Sequence, residues 1–372
     1  MHGHEGEVRL AHADSAVHLD VSAELGPMAR TEREAIEADT LAAGATVAVG
    51  AGNRERDEEP DEFRTCFERD RDRILHGTTA FRRLAGKTQV FIFPEDHQRT
   101  RLTHALEVAQ VARAIASATG LNPALTEAIA LGHDCGHGPG GHASEDALSP
   151  YVPGGFDHAV WGADVVLAPL NLCAETLDGV RNHSWSRPAP LTPEGEVVSW
   201  ADRIAYVCHD YEDAVRAGIV TPDMLPAAVH DMCGAKRGGQ LGAFIGSVIT
   251  AIITTGSVGM TASHADALAA FRAFNYEMIY LRPASVHQAD LVIEVLRALV
   301  EYYADRPNLI PSGAGDVSAA RVAPGIDAGS DEALRVAVTY VGGMTDRYAF
   351  EHAIAHLGWD ADKLPGGVGW RR

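Results

Sequence analysis

From Phe63 to about Tyr303, apolar residues recur at the spacing of an α-helix almost without interruption, which restricts the chain to an all-α bundle. Leu102, Ala105, Leu106, Ala109, Val111, Ala112 and Ile115 follow the 3.6-residue period of one helix. Gly120 is placed to stop it, and Asn122 to cap the next, with Pro123 at its first position. This second helix runs through Ile129 and Leu131 and breaks at Gly136. Glu194 to Ala217 reads as a long helix ended by Gly218, and two more are expected at about 263–280 and 284–303. Strand signals are few; Thr88 to Phe93 suits a short hairpin arm.

Composition divides the chain around this bundle. Residues 1–62 carry 15 acidic against 5 basic side chains and end in the charge run Arg54 to Glu59, so an acidic, poorly structured and flexible extension is expected. Residues 63–305 form the helical domain. Residues 306–330 are rich in Pro, Gly, Ser and Ala and read as a linker. Residues 331–372 resume helix to about Leu357 and are expected to pack on the domain.

The net charge of -20 disfavours nucleic acid and anionic membranes as partners. Residues 63–103 reverse the trend with 9 basic against 5 acidic side chains, which suits either a local anion site or, for most of these arginines, solvated helix faces. No run of about 18 apolar residues stands out, so no membrane span is expected. The N-terminus lacks the charged start and apolar stretch of a secretory signal. Five cysteines without a C-x-x-C pair suggest neither a disulfide framework nor a thiolate zinc site, and a cytoplasmic location follows.

Chemistry is concentrated at His133-Asp134, flanked by His104 on the preceding helix and Asp202 on the later one. Two imidazoles and two carboxylates suit a divalent ion such as Mn, Fe, Co, Ni or Zn, whereas Mg prefers oxygen donors, as on a nucleotide. Neighbours on an ideal helix point about 100° apart, so His133 and Asp134 share an ion only where the backbone departs from a helix, which Gly136 permits. Further along, Asp202, Tyr206 and Asp210 stand at i, i+4 and i+8 on one helix face. His137 and His142 lie on a glycine-rich loop that lets backbone approach phosphate.

The order H…HD…D resembles the HD phosphohydrolase signature. More specifically, the chain resembles the bacterial dGTPase-like, or dNTP triphosphohydrolase, family. The likeness lies in Arg82-Arg83-Leu84-Ala85-Gly86-Lys87-Thr88-Gln89-Val90-Phe91, Arg99 to His104, Ala130 to Asp134, Gly141-His142, Asp202 to Tyr206 and Gly343-Met344-Thr345-Asp346-Arg347-Tyr348. The resemblance implies an HD-domain helical bundle that hydrolyses a dNTP to deoxynucleoside and triphosphate. It also implies a homo-oligomer and a dNTP allosteric effector.

By the same resemblance His104, His133, Asp134 and Asp202 hold the metal. His142 is the catalytic acid or base, oriented by Glu145 and joined by His137, which with His158 lines the phosphates. Gln89, Val90, Tyr206 and Asp210 contact the nucleoside. From helix spacing alone, Arg101, three residues before His104, is placed to clamp phosphate oxygens, and Arg272 and Tyr280, two helical turns apart, to face the nucleotide. The chain departs from the family at Gly140, where an aromatic residue is usual, and a looser loop is expected there. Two other readings remain at this point: a different HD nucleotidase or phosphodiesterase, and a dNTP-binding sensor with little turnover.

Overall fold

The computed structural model describes residues 26–90, 98–311 and 325–365, with short stretches between 10 and 19. The fold is all-α. Among the described residues there is no strand, and two isolated antiparallel bridges join Arg54 to Cys173 and Thr88 to Thr100. The expected hairpin arm thus reduces to the bridge at Thr88; residues 91–93 lie outside the described residues.

Helices α1 (Arg30–Thr40) and α2 (Cys66–Gly77) lead into α3 (Arg101–Thr119) and α4 (Pro123–Gly132). The Thr100 hydroxyl caps α3 by accepting from the Thr103 N–H, and Gly120 ends it at a φ of 73°. Asn122 accepts from the N–H groups of Ala124 and Leu125 to start α4. The chain continues through α5 (His142–Leu148), α6 (Ala174–Asn182) and α7 (Pro193–Arg216). Beyond these lie α8 (Arg237–Thr255) and α9 (Ala262–Asn275), which runs into a wide π-type turn at Tyr276–Tyr280. The last long helices are α10 (Pro283–Ala304), α11 (Asp331–Gly342) and α12 (Asp346–Leu357).

Two apolar cores organise these helices. In the first, α4 packs on α2 and α3, and α7 crosses α3, burying Ile74, Val108, Ile115, Leu125, Ile129 and Ile204. In the second, α10 packs on α5, α11 and α12, burying Leu148, Leu296, Leu299, Val341 and Phe350. Each such side chain contributes about 1.5–3 kcal/mol on burial. The turn after α4 belongs to the first core and α5 to the second, so residues 133–142 bridge the two.

Residues 26–62 depart from the expected flexible extension. They form α1 and dock on the bundle: Thr46 and Asn122 both donate backbone N–H groups to the Glu194 carboxylate. The Arg54 guanidinium is buried against Asp70 at 2.6 Å. A buried charge must be paired, and this pair is invisible in a run that reads as solvated. The arginines of α2 are likewise committed to carboxylates, Arg73 to Glu58 and Arg71 to Asp72 and Glu127. Helix α8 also corrects an expectation. An 18-residue window of it reaches a mean hydropathy of 1.4, the length and apolar composition of a membrane span, with 28% of that window buried. It packs on α3 and α7 and buries Phe244 and Val248 in the first core.

Candidate active site

The backbone solves the problem of the adjacent His133 and Asp134. Helix α4 ends at Gly132, earlier than expected, and residues 133–136 form turns. The His133 Nδ1–H donates to the Ala130 carbonyl at 2.6 Å, turning a bare Nε2 inward, where it is buried without a protein partner. Gly136 does more than end a helix. A Cβ there would stand 2.0 Å from the His158 carbonyl oxygen, so only glycine lets the segment carrying His158 close over the turn.

His104, on α3, and Asp202, on α7, reach the same point from the other side. His104 Nε2 is 3.0 Å from Asp202 Oδ1 and 4.0 Å from Asp134 Oδ2. His133 Nε2 is 3.8 Å from Asp202 Oδ1 and 3.5 Å from Asp134 Oδ1. With bonds of about 2.1 Å, donors around one ion stand roughly 3.0 Å apart at right angles and about 4.2 Å apart when opposite. The four side chains therefore fit a divalent ion, and the unpartnered His133 nitrogen is the buried polar atom such an ion would satisfy. Burial opposes ionisation of Asp134, but Arg101, His133 and His137 outweigh it and hold the carboxyl well below the usual range.

Around these ligands lies a cavity of about 890 Å³. Of the sequence-predicted residues, His137, His142, His158, Arg101, Gln89, Val90, Tyr206, Asp210, Arg272 and Tyr280 all line it, with His104, Asp134 and Asp202. Glu145 stands behind, accepting from His142 Nδ1 at 2.9 Å and from His158 Nδ1 at 2.8 Å. His137 stacks on His158 at 3.7 Å. Arg101 commits Nη1 to Asp134 at 2.8 Å, while its Nε and Nη2 have no partner.

On the far side of Asp202, the single face of α7 is realised. The Tyr206 hydroxyl accepts from Arg272 Nε at 3.1 Å, and the Tyr280 hydroxyl donates to Asp210 at 2.5 Å. Burial pushes the Asp210 carboxyl up to about 7, with Tyr280 opposing. An acid raised above its unfolded value of about 3.9 binds its proton more tightly when folded, so stability falls as pH rises from there to about 7. Asp210→Asn is expected to raise Tm above wild type at pH 8, with the difference gone by about pH 4; equal curves at both pH values would contradict the buried acid.

Several lining residues escaped the sequence reading. His183 closes α6 and faces His158 across 3.2 Å. Arg203 lies over the Trp185 ring at 3.7 Å, and Arg272 also donates to Tyr276. Arg203 stood beside Asp202 in a motif already noted. His183 had no such marker.

At Gly140, where a looser loop is expected, the backbone makes a hydrogen bond to the chain's C-terminal part. Gly140 sits at a φ of 72°, and its N–H donates to Asp346 Oδ1 at 2.8 Å. Asp346 Oδ2 also accepts from the Thr88 N–H at 2.9 Å and hydroxyl at 2.5 Å. Lys87 Nζ donates to the carbonyls of His137 and Gly342. Residues 342–346 thus clamp both ends of the histidine loop to the segment carrying Gln89. Misplacement by about 1 Å costs up to about 10²-fold in rate. Asp346→Ala is therefore expected to lower kcat about 10- to 100-fold with metal per chain unchanged; an unaltered kcat would show the clamp to be idle.

The HD domain family matches residues 101–207, and the phosphohydrolase-associated domain residues 258–353. The chain is 40% identical over 323 residues to a deoxyguanosinetriphosphate triphosphohydrolase-like protein of Caldanaerobacter subterraneus, a match spanning 85% of this chain and 92% of that one. It is 40% identical over 331 residues to a protein of the same description from Clostridium perfringens, with the same shares. With one from Syntrophus aciditrophicus it shares 33% over 387 residues, spanning 87% and 95%. Fold and site define an HD-domain phosphohydrolase, a class that binds divalent metal. Within it, the chain belongs to the deoxyguanosinetriphosphate triphosphohydrolase-like family.

Proposed function

We propose that this protein hydrolyses deoxynucleoside triphosphates to deoxynucleoside and inorganic triphosphate. The observation that carries this reading is the one cavity, about 890 Å³, in which the His/Asp centre, four further histidines, three arginines and a tyrosine–carboxylate pair all face the same space. Its volume lies in the range that encloses ligands of nucleotide size.

His104, His133, Asp134 and Asp202 would hold a divalent ion, which would supply Lewis-acid stabilisation of charge on the phosphate; Mn, Fe, Co, Ni or Zn suits the donors, with Mg left to the nucleotide's own oxygens. Arg101, through its uncommitted Nε and Nη2, neutralises the phosphate oxygens, and His137 and His158 line them. Asp210 and Gln89 hold the 3′-hydroxyl, with Tyr280 fixing the Asp210 carboxyl and Val90 packing beside Gln89. Arg272 fixes Tyr206 under the sugar. Water adds to the α-phosphorus, the bond to O5′ breaks, O5′ leaves with a proton from His142, and the proton shed by the added water restores that imidazole through solvent. The water oxygen stays on the triphosphate. A homo-oligomer and a dNTP effector belong to the same reading and rest on family likeness alone, and a cytoplasmic location rests on the cysteine pattern.

A 2′-hydroxyl against the Tyr206 ring would lose water without gaining a partner, at a cost of about 1–3 kcal/mol. With dGTP and GTP incubated separately, chromatography is expected to resolve deoxyguanosine and triphosphate from dGTP, and attack on GTP roughly 5- to 150-fold slower. Equal rates would defeat the Tyr206 gate. A monophosphate product would defeat the reaction itself.

A further inference from the structure

We propose that Trp185 is a positioning residue, its indole holding the Arg203 guanidinium as a seat for the terminal phosphate of the substrate's polyphosphate tail. The assignment rests on the hydrolysis reading, in which the reacting phosphorus lies at the His/Asp centre and the sugar over Tyr206. Helix α7 then gives the tail its direction. At 1.5 Å per residue, Asp210, which meets the nucleoside, stands about 12 Å beyond Asp202 along the axis. The tail therefore runs back toward the start of α7, where Ser199 and Trp200 line the same cavity. The loop Ser184-Trp185-Ser186, just after α6, lines that end as well.

Arg203 is the cation at this end. Side chains on a helix lean toward its N-terminus, which carries the guanidinium back over the turn of Trp200. Its central carbon stands 3.7 Å from the centre of the Trp185 ring and 5.8 Å from that of Tyr206. Trp185 is itself set edge-on against Trp200, their ring centres 4.8 Å apart at 75°. Among the described residues the guanidinium has neither a carboxylate nor a hydrogen-bond partner, and its Nε is buried. Of the other arginines lining the cavity, Arg101 is tied to Asp134 and Arg272 to Tyr206 and Tyr276. Arg203 is left for the far end of the tail.

Elsewhere in the chain arginines are held by acids, Arg54 by Asp70, Arg73 by Glu58 and Arg99 by Asp213. An acid fixes an arginine but cancels its charge. An indole face fixes it through the ring quadrupole and leaves the charge, and the N–H donors in the guanidinium plane, free for an anion. That planar fork matches two oxygens of one phosphate. Trp185 is 50% exposed, so burial alone does not account for its place. Ser184 and Ser186 flank it with hydroxyls 2.9 Å apart; one donates to the other, which leaves the second hydrogen for a phosphate oxygen.

The test separates holding the tail from the chemistry at the metal centre. Trp185→Leu keeps an apolar side chain without a π-face. It is expected to raise KM for dGTP roughly 2- to 30-fold, the range of a cation–π contact, with kcat changed far less. Trp185→Phe is expected to recover most of that loss. Inorganic triphosphate, as its magnesium complex, is then titrated while tryptophan emission is followed. Wild type is expected to respond, and more weakly to orthophosphate. Arg203→Gln keeps every tryptophan and is expected not to respond, circular dichroism confirming its fold. An unchanged KM in Trp185→Leu, a loss confined to kcat, or a Trp185→Phe protein no better than Trp185→Leu overturns the positioning role. A triphosphate response equal in wild type and Arg203→Gln overturns the seat and leaves the hydrolysis reading standing. Wild type that leaves dGTP intact sinks the hydrolysis reading instead, while a triphosphate response lost in Arg203→Gln still supports the seat.

Discussion

Asp134→Ala protein is expected to purify without metal and without measurable hydrolysis, yet as a folded helical chain. The carboxylate is 2% exposed and lies against Arg101, His104, His133 and His137, so it ties the arginine to three histidines of the centre. Its loss removes one of the four proposed ligands and leaves Arg101 without its ion-pair partner in the interior. Breaking a buried pair costs about 3–5 kcal/mol, against a typical stability of about 5–15 kcal/mol. A lower Tm with an unchanged far-ultraviolet spectrum is the expected compromise. Asp134→Asn keeps the volume, spares the packing, and is expected to lose metal all the same. Elemental analysis decides the matter: occupancy equal to wild type in either variant would show that Asp134 is no ligand.

What the sequence discloses here follows the range of the interaction involved. Helix ends depend on neighbours in the chain, so Gly120, Asn122 and Pro123 mark the boundary between α3 and α4 where the structure has it. The shared face of Asp202, Tyr206 and Asp210, and the i+3 contact of His142 with Glu145, are equally local. His183 was hidden because its role depends on a facing residue 25 positions earlier, and nothing near Asn182 announces it. The clamp is more remote still: Thr88 and Asp346 are 258 residues apart, and Gly140 and Asp346 206. Its parts were visible as motifs, but not that they touch. Residues 30–62 misled because acidic composition describes the surface of a segment and not the one arginine it buries.

His142→Ala is expected to lose about 10²- to 10⁴-fold in turnover, the usual contribution of a general acid or base, while metal content and nucleotide affinity stay near wild type. Three features single out this histidine. Its side chain is 72% exposed and opens on the cavity, unlike the buried His137 and His158, so it can meet a leaving oxygen. Its Nδ1 is held by Glu145 at 2.9 Å, which aims Nε2 away from the carboxylate. It also begins α5 at the end of the clamped loop, so its position follows from the backbone rather than from the ligands. The departing O5′ is an alkoxide and needs a proton; a nitrophenolate departs without one. The penalty of His142→Ala is therefore expected to be large with dGTP and small with bis(p-nitrophenyl) phosphate, measured on the same preparation. A mutant equally impaired on both would place His142 in binding the phosphate rather than in protonating the leaving group. Near-normal turnover of dGTP would remove it from the chemistry altogether.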